Sequence, residues 1–261
     1  MRLSVNKSNL AAFSAGDSCL RVESWRRDGT GLCVRPPASF EIWGGELNAL
    51  VTTKTAGNMQ EEAERTRLAR RLDIDASHLA LSYQAHEKEI HIMKRPEDVP
   101  LNRVGGIDGW AAGKASGVSL GIFGADCLPL FLISLDRPIG ALLHVGWRGL
   151  DRGIVENGVR VLESVFNVPA ARLAGLAGPH IRNCCYEVGE DVALRFPVEW
   201  TDCREGKKFL SLDRGVCAKL RQSGVDWVMS SADCTRCSDP SLFFSYRRQD
   251  KGSQLALLMF S

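Results

Sequence analysis

Long apolar runs are missing from this chain of 261 residues. No stretch approaches the roughly 20 consecutive apolar residues that span a bilayer. The opening residues, MRLSVNKSNLAAFSAGD, carry basic side chains but no apolar segment of the kind a secretion signal uses, so the expected location is the cytoplasm. Charge of one sign is lacking as well. Lys and Arg number 33 against 31 Asp and Glu, a formal net charge of +2. That balance excludes a broad field drawing the protein to nucleic acid or to an anionic membrane, while leaving room for a local basic pocket. No internal repeat, low-complexity tract or Pro/Ser-rich linker divides the chain, so residues 1–261 read as one domain. Histidine is scarce, with His78, His86, His91, His144 and His180 making up the whole set.

Cysteine runs the other way. Nine are present: Cys19, Cys33, Cys127, Cys184, Cys185, Cys203, Cys217, Cys234 and Cys237. An odd number at uneven spacing in a long chain argues against a disulfide framework. Most are expected to be small buried hydrophobes, and at least one to carry chemistry.

Residues 1–45 hold few periodic apolar positions and read as short strands and turns covering a sheet edge. A β-branched run over 49–53 reads as a strand. Asn58 then opens a helix that runs through Leu72, with Glu61–Arg65 and Glu64–Arg67 placed as solvated pairs on its outer face. Alternation predicts strands over 78–84 and 90–93, while 105–106 and 109–117 read as turn-rich. Strands are expected over 117–123, 128–135 and 139–145, followed by one long helix to Phe166 that contains Gly153 and Gly158. Glycine costs about 1 kcal/mol relative to alanine inside a helix, so close packing on a sheet is expected there. The last third alternates: a strand at 173–177, a helix from about Val188, a strand at 208–212, a helix at 214–223 and strands at 226–229, 242–246 and 254–260. Interleaved helices and more numerous strands give the α/β (α+β) class with mixed β-sheets.

The candidate chemistry lies at strand ends, where a rigid sheet meets its loops. His86 and His144 occupy two such ends, and Cys127 a third. Imidazole and thiolate suit zinc, and three protein donors leave a fourth position open. The same residues allow a different reading, a thiolate–imidazole nucleophile pair of Cys127 and His144. Arg148, just after His144, and Arg247 in Arg247-Arg248 are candidate anion ligands. Trp110, Trp147 and Tyr186 offer rings on which a base could stack, although each also suits a core or rim position. Cys234-Thr-Arg-Cys237 is a true C-x-x-C, but no second pair at metal-site spacing accompanies it, and its polar loop does not suit a redox motif. Neither role is assigned to it, and at least one of the adjacent Cys184 and Cys185 is read as packing.

Four phrases occur in order: Ala125-Asp-Cys-Leu-Pro-Leu, His144-Val-Gly-Trp-Arg-Gly-Leu, Gly178-Pro-His-Ile-Arg-Asn-Cys-Cys-Tyr-Glu-Val-Gly, and Cys234-Thr followed by Phe243-Phe-Ser-Tyr-Arg-Arg. Together they resemble the YfiH family, described as multicopper polyphenol oxidoreductase or laccase-like proteins and also as purine nucleoside phosphorylases. The resemblance covers about Ala49 to the C-terminus and leaves 1–45 as a divergent segment. It implies a four-layer α-β-β-α sandwich like that of a bacterial deamidating toxin. It also implies a zinc ion held by the positions corresponding to His86, Cys127 and His144. The implied reaction is phosphate-dependent cleavage of adenosine, inosine, guanosine and methylthioadenosine, with deamination of adenosine as a second activity. On that basis Arg148, Arg247 and Lys54 become candidate phosphate ligands, and Asp126 a candidate acid/base or partner of the metal ligands.

Three further readings stand beside it: a metal-free Cys127–His144 hydrolase or deamidase, a laccase-like copper oxidoreductase, and a zinc-binding protein without activity. Five histidines cannot fill the several copper centres of a multicopper oxidase, so Cu2+ is weighed only as an alternative occupant of one site. The chain also departs from the family pattern. Lys54 replaces an arginine and loses its bidentate fork. Glu87 stands where the family has glycine, Ile181-Arg-Asn183 replaces the usual Gly-Pro, and Ser253 replaces an arginine.

Overall fold

Strands that are apolar at nearly every position need cover on both faces, and this chain has several. The computed structural model describes residues 20–37, 47–100 and 103–260. In its first half the strands are β1 (Arg21–Glu23), β2 (Arg26–Arg27), β3 (Cys33–Arg35), β4 (Leu47–Thr52), β5 (Leu79–Ala80), β6 (Ser82–Tyr83), β7 (Ile90–Met93), β8 (Val104–Gly105), β9 (Gly109–Gly113) and β10 (Ser119–Gly124). They continue as β11 (Leu128–Ser134), β12 (Ile139–Val145), β13 (Leu173–Ala177), β14 (Glu187–Val188), β15 (Thr201–Arg204), β16 (Lys207–Leu210), β17 (Trp227–Ser231) and β18 (Gln254–Phe260). The helices are α1 (Glu62–Leu72), α2 (Trp147–Arg152), α3 (Ile154–Phe166), α4 (Glu190–Ala193) and α5 (Leu212–Gln222).

Two large mixed sheets form the middle of the molecule, in the orders β1-β17-β13-β11-β12-β9-β7 and β2-β3-β4-β18-β10-β5. The period-2 geometry of a strand sorts its side chains between layers. Along β11, Leu128, Leu130 and Leu132 face the helices while Phe131 and Ile133 face the other sheet. Along β18, Ala256 and Leu258 face the inter-sheet core while Leu255, Leu257 and Met259 face outward under α1. Helices α3 and α5 cover the seven-stranded sheet with Val155, Val159, Leu162, Val216 and Leu220. Helix α1 covers the six-stranded sheet through Leu68. The result is the expected α-β-β-α order of layers. Each fully buried leucine in these seams contributes about 1.5–3 kcal/mol.

Several elements differ from the sequence reading. The long helix is two helices, because Gly153 adopts φ +86 and ends α2 before α3 begins. Gly158 behaves as expected: a Cβ there would lie 2.5 Å from Leu143 Cδ1. The turn-rich reading of 109–117 is corrected for its first half, since 109–113 is strand β9 between β12 and β7. Its glycine is a packing choice, as a Cβ on Gly109 would meet Leu143 at 2.6 Å and Ile90 at 2.9 Å. The strand expected over 78–84 is a 3-10 turn followed by two short pieces, β5 and β6. The helix expected from Val188 is the single turn α4, and β14 to β16 form a small separate sheet beside it. Residues 242–246 are not a strand. Their backbone amides bond to side chains instead of a ladder, Phe244 N to Gln254 Oε1 and Ser245 N to Asp250 Oδ2. Of the N-terminal reading, β1 to β3 extend sheet edges as expected; residues 1–19 and 38–46, Cys19 included, lie outside the described residues.

Candidate active site

At one end of the sandwich the chain crosses from one sheet to the other. Strand β10 ends at Gly124 in the six-stranded sheet and β11 begins at Leu128 in the seven-stranded one. The short link holds Asp126, at φ +95, and Cys127. His144 lies near the end of β12, paired in register with Pro129. His86 comes from the loop between β6 and β7 and also adopts a left-handed conformation, φ +61. The structure therefore brings together the three residues that the strand-end argument selected. Their donor atoms all lie within 4.8 Å of one another, with Cys127 Sγ 3.8 Å from His86 Nε2. The two imidazoles meet edge to face at 4.8 Å between centroids.

Asp108 holds this arrangement, and sequence reasoning missed it. Its fully buried carboxylate accepts from His144 Nδ1 at 2.9 Å and from the amides of Ala85, His86 and Glu87 at 2.8–3.0 Å. Burial alone would raise its pKa, but the His144 hydrogen bond and these amides outweigh that and leave it below the usual carboxylate range. With Nδ1 committed to Asp108, His144 presents Nε2 to the site, the arrangement in which a carboxylate orients a metal-ligating imidazole. Burial also opposes ionisation of Cys127, yet the His144 charge, with hydrogen bonds from His144 and His86, lowers its thiol to about 6. The same pairing lifts His144 to about 9 against its own burial. Gly146 completes the fit by leaving space, since a Cβ there would sit 2.9 Å from the His86 ring and 3.1 Å from Cys127 Sγ. Two imidazoles and an ionised thiolate, one imidazole held by a carboxylate, suit zinc in type and number.

Asp126 is equally committed. Its oxygens accept from Thr235 Oγ1 at 2.6 Å, Ser245 Oγ at 3.0 Å and the Arg247 amide at 2.8 Å. It thus ties the link to the segment that carries Tyr246 and Arg247.

All three metal-type donors open into a cavity of about 620 Å³, a size typical of small-ligand sites. Arg148 lines it, stacked over Trp147 at 4.4 Å and without a hydrogen-bond partner among the described residues. Arg247 lines it too, bonded to the Glu187 carbonyl at 2.8 Å and stacked over Tyr186 at 5.1 Å. Lys54 does not line it: it is held by Asp250 at 2.9 Å, over the Phe244 ring. Trp110 belongs to the inter-sheet core, whereas Trp147 and Tyr186 line the cavity. Glu87 pairs with Arg152, which also donates to the His86 carbonyl at 2.9 Å, so the extra carboxylate helps tether the His86 loop. A third cavity arginine, Arg103, was also missed. It bonds to Gln60, and Gln60 in turn donates to Ser253 Oγ, so a cation stands close to the position where the family has one more arginine.

A mixed α-β-β-α sandwich with a His₂Cys centre set in a basic cavity defines the class. Residues 47–261 match the family described as multi-copper polyphenol oxidoreductase laccase, and the chain belongs to that family. Its relatives include a protein from Streptomyces coelicolor, 30% identical over 74% of this chain and 79% of its own length, and one from Deinococcus radiodurans, 35% identical over 70% of each; both are named purine nucleoside phosphorylase. A Clostridium acetobutylicum relative of the same name, 30% identical, is matched over 51% of this chain and only 58% of its own length. The crystal structure of YlmD from Geobacillus stearothermophilus shares the fold, with a TM-score of 0.81 at 24% identity, covering 91% of this chain and 99% of that one. YfiH from Bacillus licheniformis does so with a TM-score of 0.79 at 22% identity, over the same shares. No helix among the described residues is long and apolar enough to cross a membrane.

Proposed function

We propose that this protein is a zinc-dependent enzyme that cleaves purine nucleosides with phosphate. The observation that carries the reading is the convergence of His86, Cys127 and His144 on a cavity rimmed by three arginines; the names of the relatives agree with it. A zinc ion bound by those three residues would supply a Lewis acid with one open position.

The chain's own groups supply the rest. Asp108 keeps the proton of His144 on Nδ1 and fixes the loop of His86. Arg148, Arg247 and Arg103 offer charge-assisted hydrogen bonds to phosphate and so hold its oxygens against the ribose C1′. In the reaction the bond from C1′ to the base nitrogen breaks, a phosphate oxygen bonds to C1′, and the base leaves with a proton. Trp147 and Tyr186 give the base faces on which to stack. Asp126, with its oxygens occupied by Thr235, Ser245 and the Arg247 amide, acts in this reading as a positioning residue rather than a proton carrier. Deamination of adenosine at the same centre is a second activity of the same reading.

The test is metal content of the purified protein together with phosphate-dependent release of hypoxanthine from inosine and of ammonia from adenosine. Zinc with phosphate-dependent turnover, both lost in His86→Ala, is the expected result. A second reading rests on Cys127 Sγ lying against two imidazoles, the arrangement of a thiolate nucleophile. Full activity after zinc removal, abolished by alkylation of Cys127, would establish that one and overturn the first.

A further inference from the structure

Four thiols that are distant in sequence converge beside this cavity. Cys184 and Cys185 sit in the turn that follows β13, and Cys234 and Cys237 in the loop that follows β17. The two segments lie side by side: His180 bridges to Cys234, and the Thr235 amide donates to the His180 carbonyl at 3.0 Å. All four sulfur atoms lie within 4.8 Å of one another, and Cys184 Sγ and Cys237 Sγ are 3.6 Å apart. Zinc–sulfur bonds of about 2.3 Å in a tetrahedron set sulfurs about 3.8 Å apart. A disulfide needs about 2.05 Å, and all four cysteines are free thiols.

Donors also face two of the four sulfur atoms. The amides of Arg182, Arg236 and Cys237 converge on Cys234 Sγ, the first at 3.4 Å. The Arg236 side chain reaches the sulfur of Cys185. Amide dipoles and a guanidinium around one cluster offset the negative charge that four thiolates and one divalent ion would leave. The C-x-x-C lacked a partner pair only in sequence; the fold supplies Cys184-Cys185 as that pair.

We propose that Cys184, Cys185, Cys234 and Cys237 form a second metal centre, a closed tetrathiolate site that takes zinc. Soft thiolates select it, and four protein donors leave no open position, so the role is structural. The centre ties the segment carrying Tyr186 to the loop whose Thr235 donates to Asp126 and whose carbonyls at Thr235 and Arg236 accept from Arg248. It therefore braces the wall of the cavity that carries Tyr186 and Arg247.

The experiment uses the full chain purified under reducing conditions with zinc. Metal analysis is expected to give about two zinc ions per chain, and about one in the Cys184→Ser/Cys237→Ser variant, whose substitutions fall on exposed positions. The cobalt-loaded variant should also lose most of the thiolate-to-cobalt absorption, because only Cys127 remains as a sulfur ligand. In the wild-type chain, zinc should protect Cys184, Cys185, Cys234 and Cys237 from alkylation, a readout that does not depend on the variant folding. Equal metal content in both proteins, equal alkylation with and without zinc, or an intact mass short by two hydrogens from a Cys184–Cys237 disulfide would overturn the proposal. These readouts are separate from turnover: without zinc at His86, Cys127 and His144 the counts become about one and zero, and the difference between the two proteins and the alkylation pattern of the four cysteines stay the same.

Discussion

The floor and the rim of the cavity are built in opposite ways. The floor residues His86, Cys127 and His144 are fixed by buried bonds to Asp108, by two left-handed residues and by the space left at Gly146. The rim is arginine on aromatic faces, with Arg148 and Arg247 exposed, Arg103 half-buried, and the Arg148 side chain making no polar bond to the described residues. A floor of this kind fixes geometry and tolerates little change, whereas a rim of this kind can reorganise around an anion. Chemistry that needs a set position belongs at the first, and substrate choice at the second.

Asp108→Asn should show the largest contrast. It replaces one of the two acceptor oxygens with an NH2 donor, so either His144 Nδ1 and the His86 amide or the amides of Ala85 and Glu87 lose their acceptor, and zinc affinity should fall about 10–100-fold. Stability should fall by about 2–4 kcal/mol, because buried donors lose their partner. Zinc titration against a competing chelator and thermal melts measure the two losses, and an unchanged zinc affinity would show that the floor does not depend on Asp108. Gly146→Ala comes next. Its backbone is in an ordinary extended conformation, so the cost is steric, about 1–3 kcal/mol of overpacking against His86 and Cys127, read as weaker zinc binding.

On the rim, Arg148→Ala should raise KM for phosphate about tenfold or more while stability stays within about 0.5 kcal/mol. Steady-state kinetics and a melt of the same sample separate the two effects; a matching loss of stability would make Arg148 part of the framework instead.

Lys54→Ala should be the mildest, below about 1 kcal/mol with KM for phosphate unchanged, since Lys54 is committed to Asp250. Hydrogen bonds from Arg248, with further help from Lys54, hold Asp250 at about 2. Its unfolded value is about 3.9, so its stabilising effect is complete above about pH 4 and is lost as pH falls toward 2. Acid unfolding of the Lys54→Ala variant should lose part of that slope.

Much of the framework was legible because β11, β12 and β18 are apolar at nearly every position and few other segments are. The three donors were legible because histidine is rare, two of the five stand beside expected strand ends, and the family phrases point to the same positions. Asp108 was not, since nothing local marks an aspartate whose partners lie at positions 85–87 and 144. Strand β9 hid behind glycines that serve packing against Leu143 and Ile90, which resemble turn glycines in sequence. Residues 242–246 misled in the other direction, being apolar enough for a strand while their amides were claimed by Gln254 and Asp250. The cysteine cluster was invisible for the same reason as Asp108: its two halves meet only through the pairing of the segments after β13 and β17.

The link between β10 and β11 has one more consequence. It delivers Cys127 from the step between two sheets, while His86 and His144 arrive from a separate loop and strand, so the three donors meet only once β9, β11 and β12 have paired. Contacts of such sequence separation form late and slowly. A chelating set of this kind reports that pairing: an ion captured there binds the paired strands and not the unfolded chain, and holds back unfolding by about 4 kcal/mol when present at a thousand times its dissociation constant.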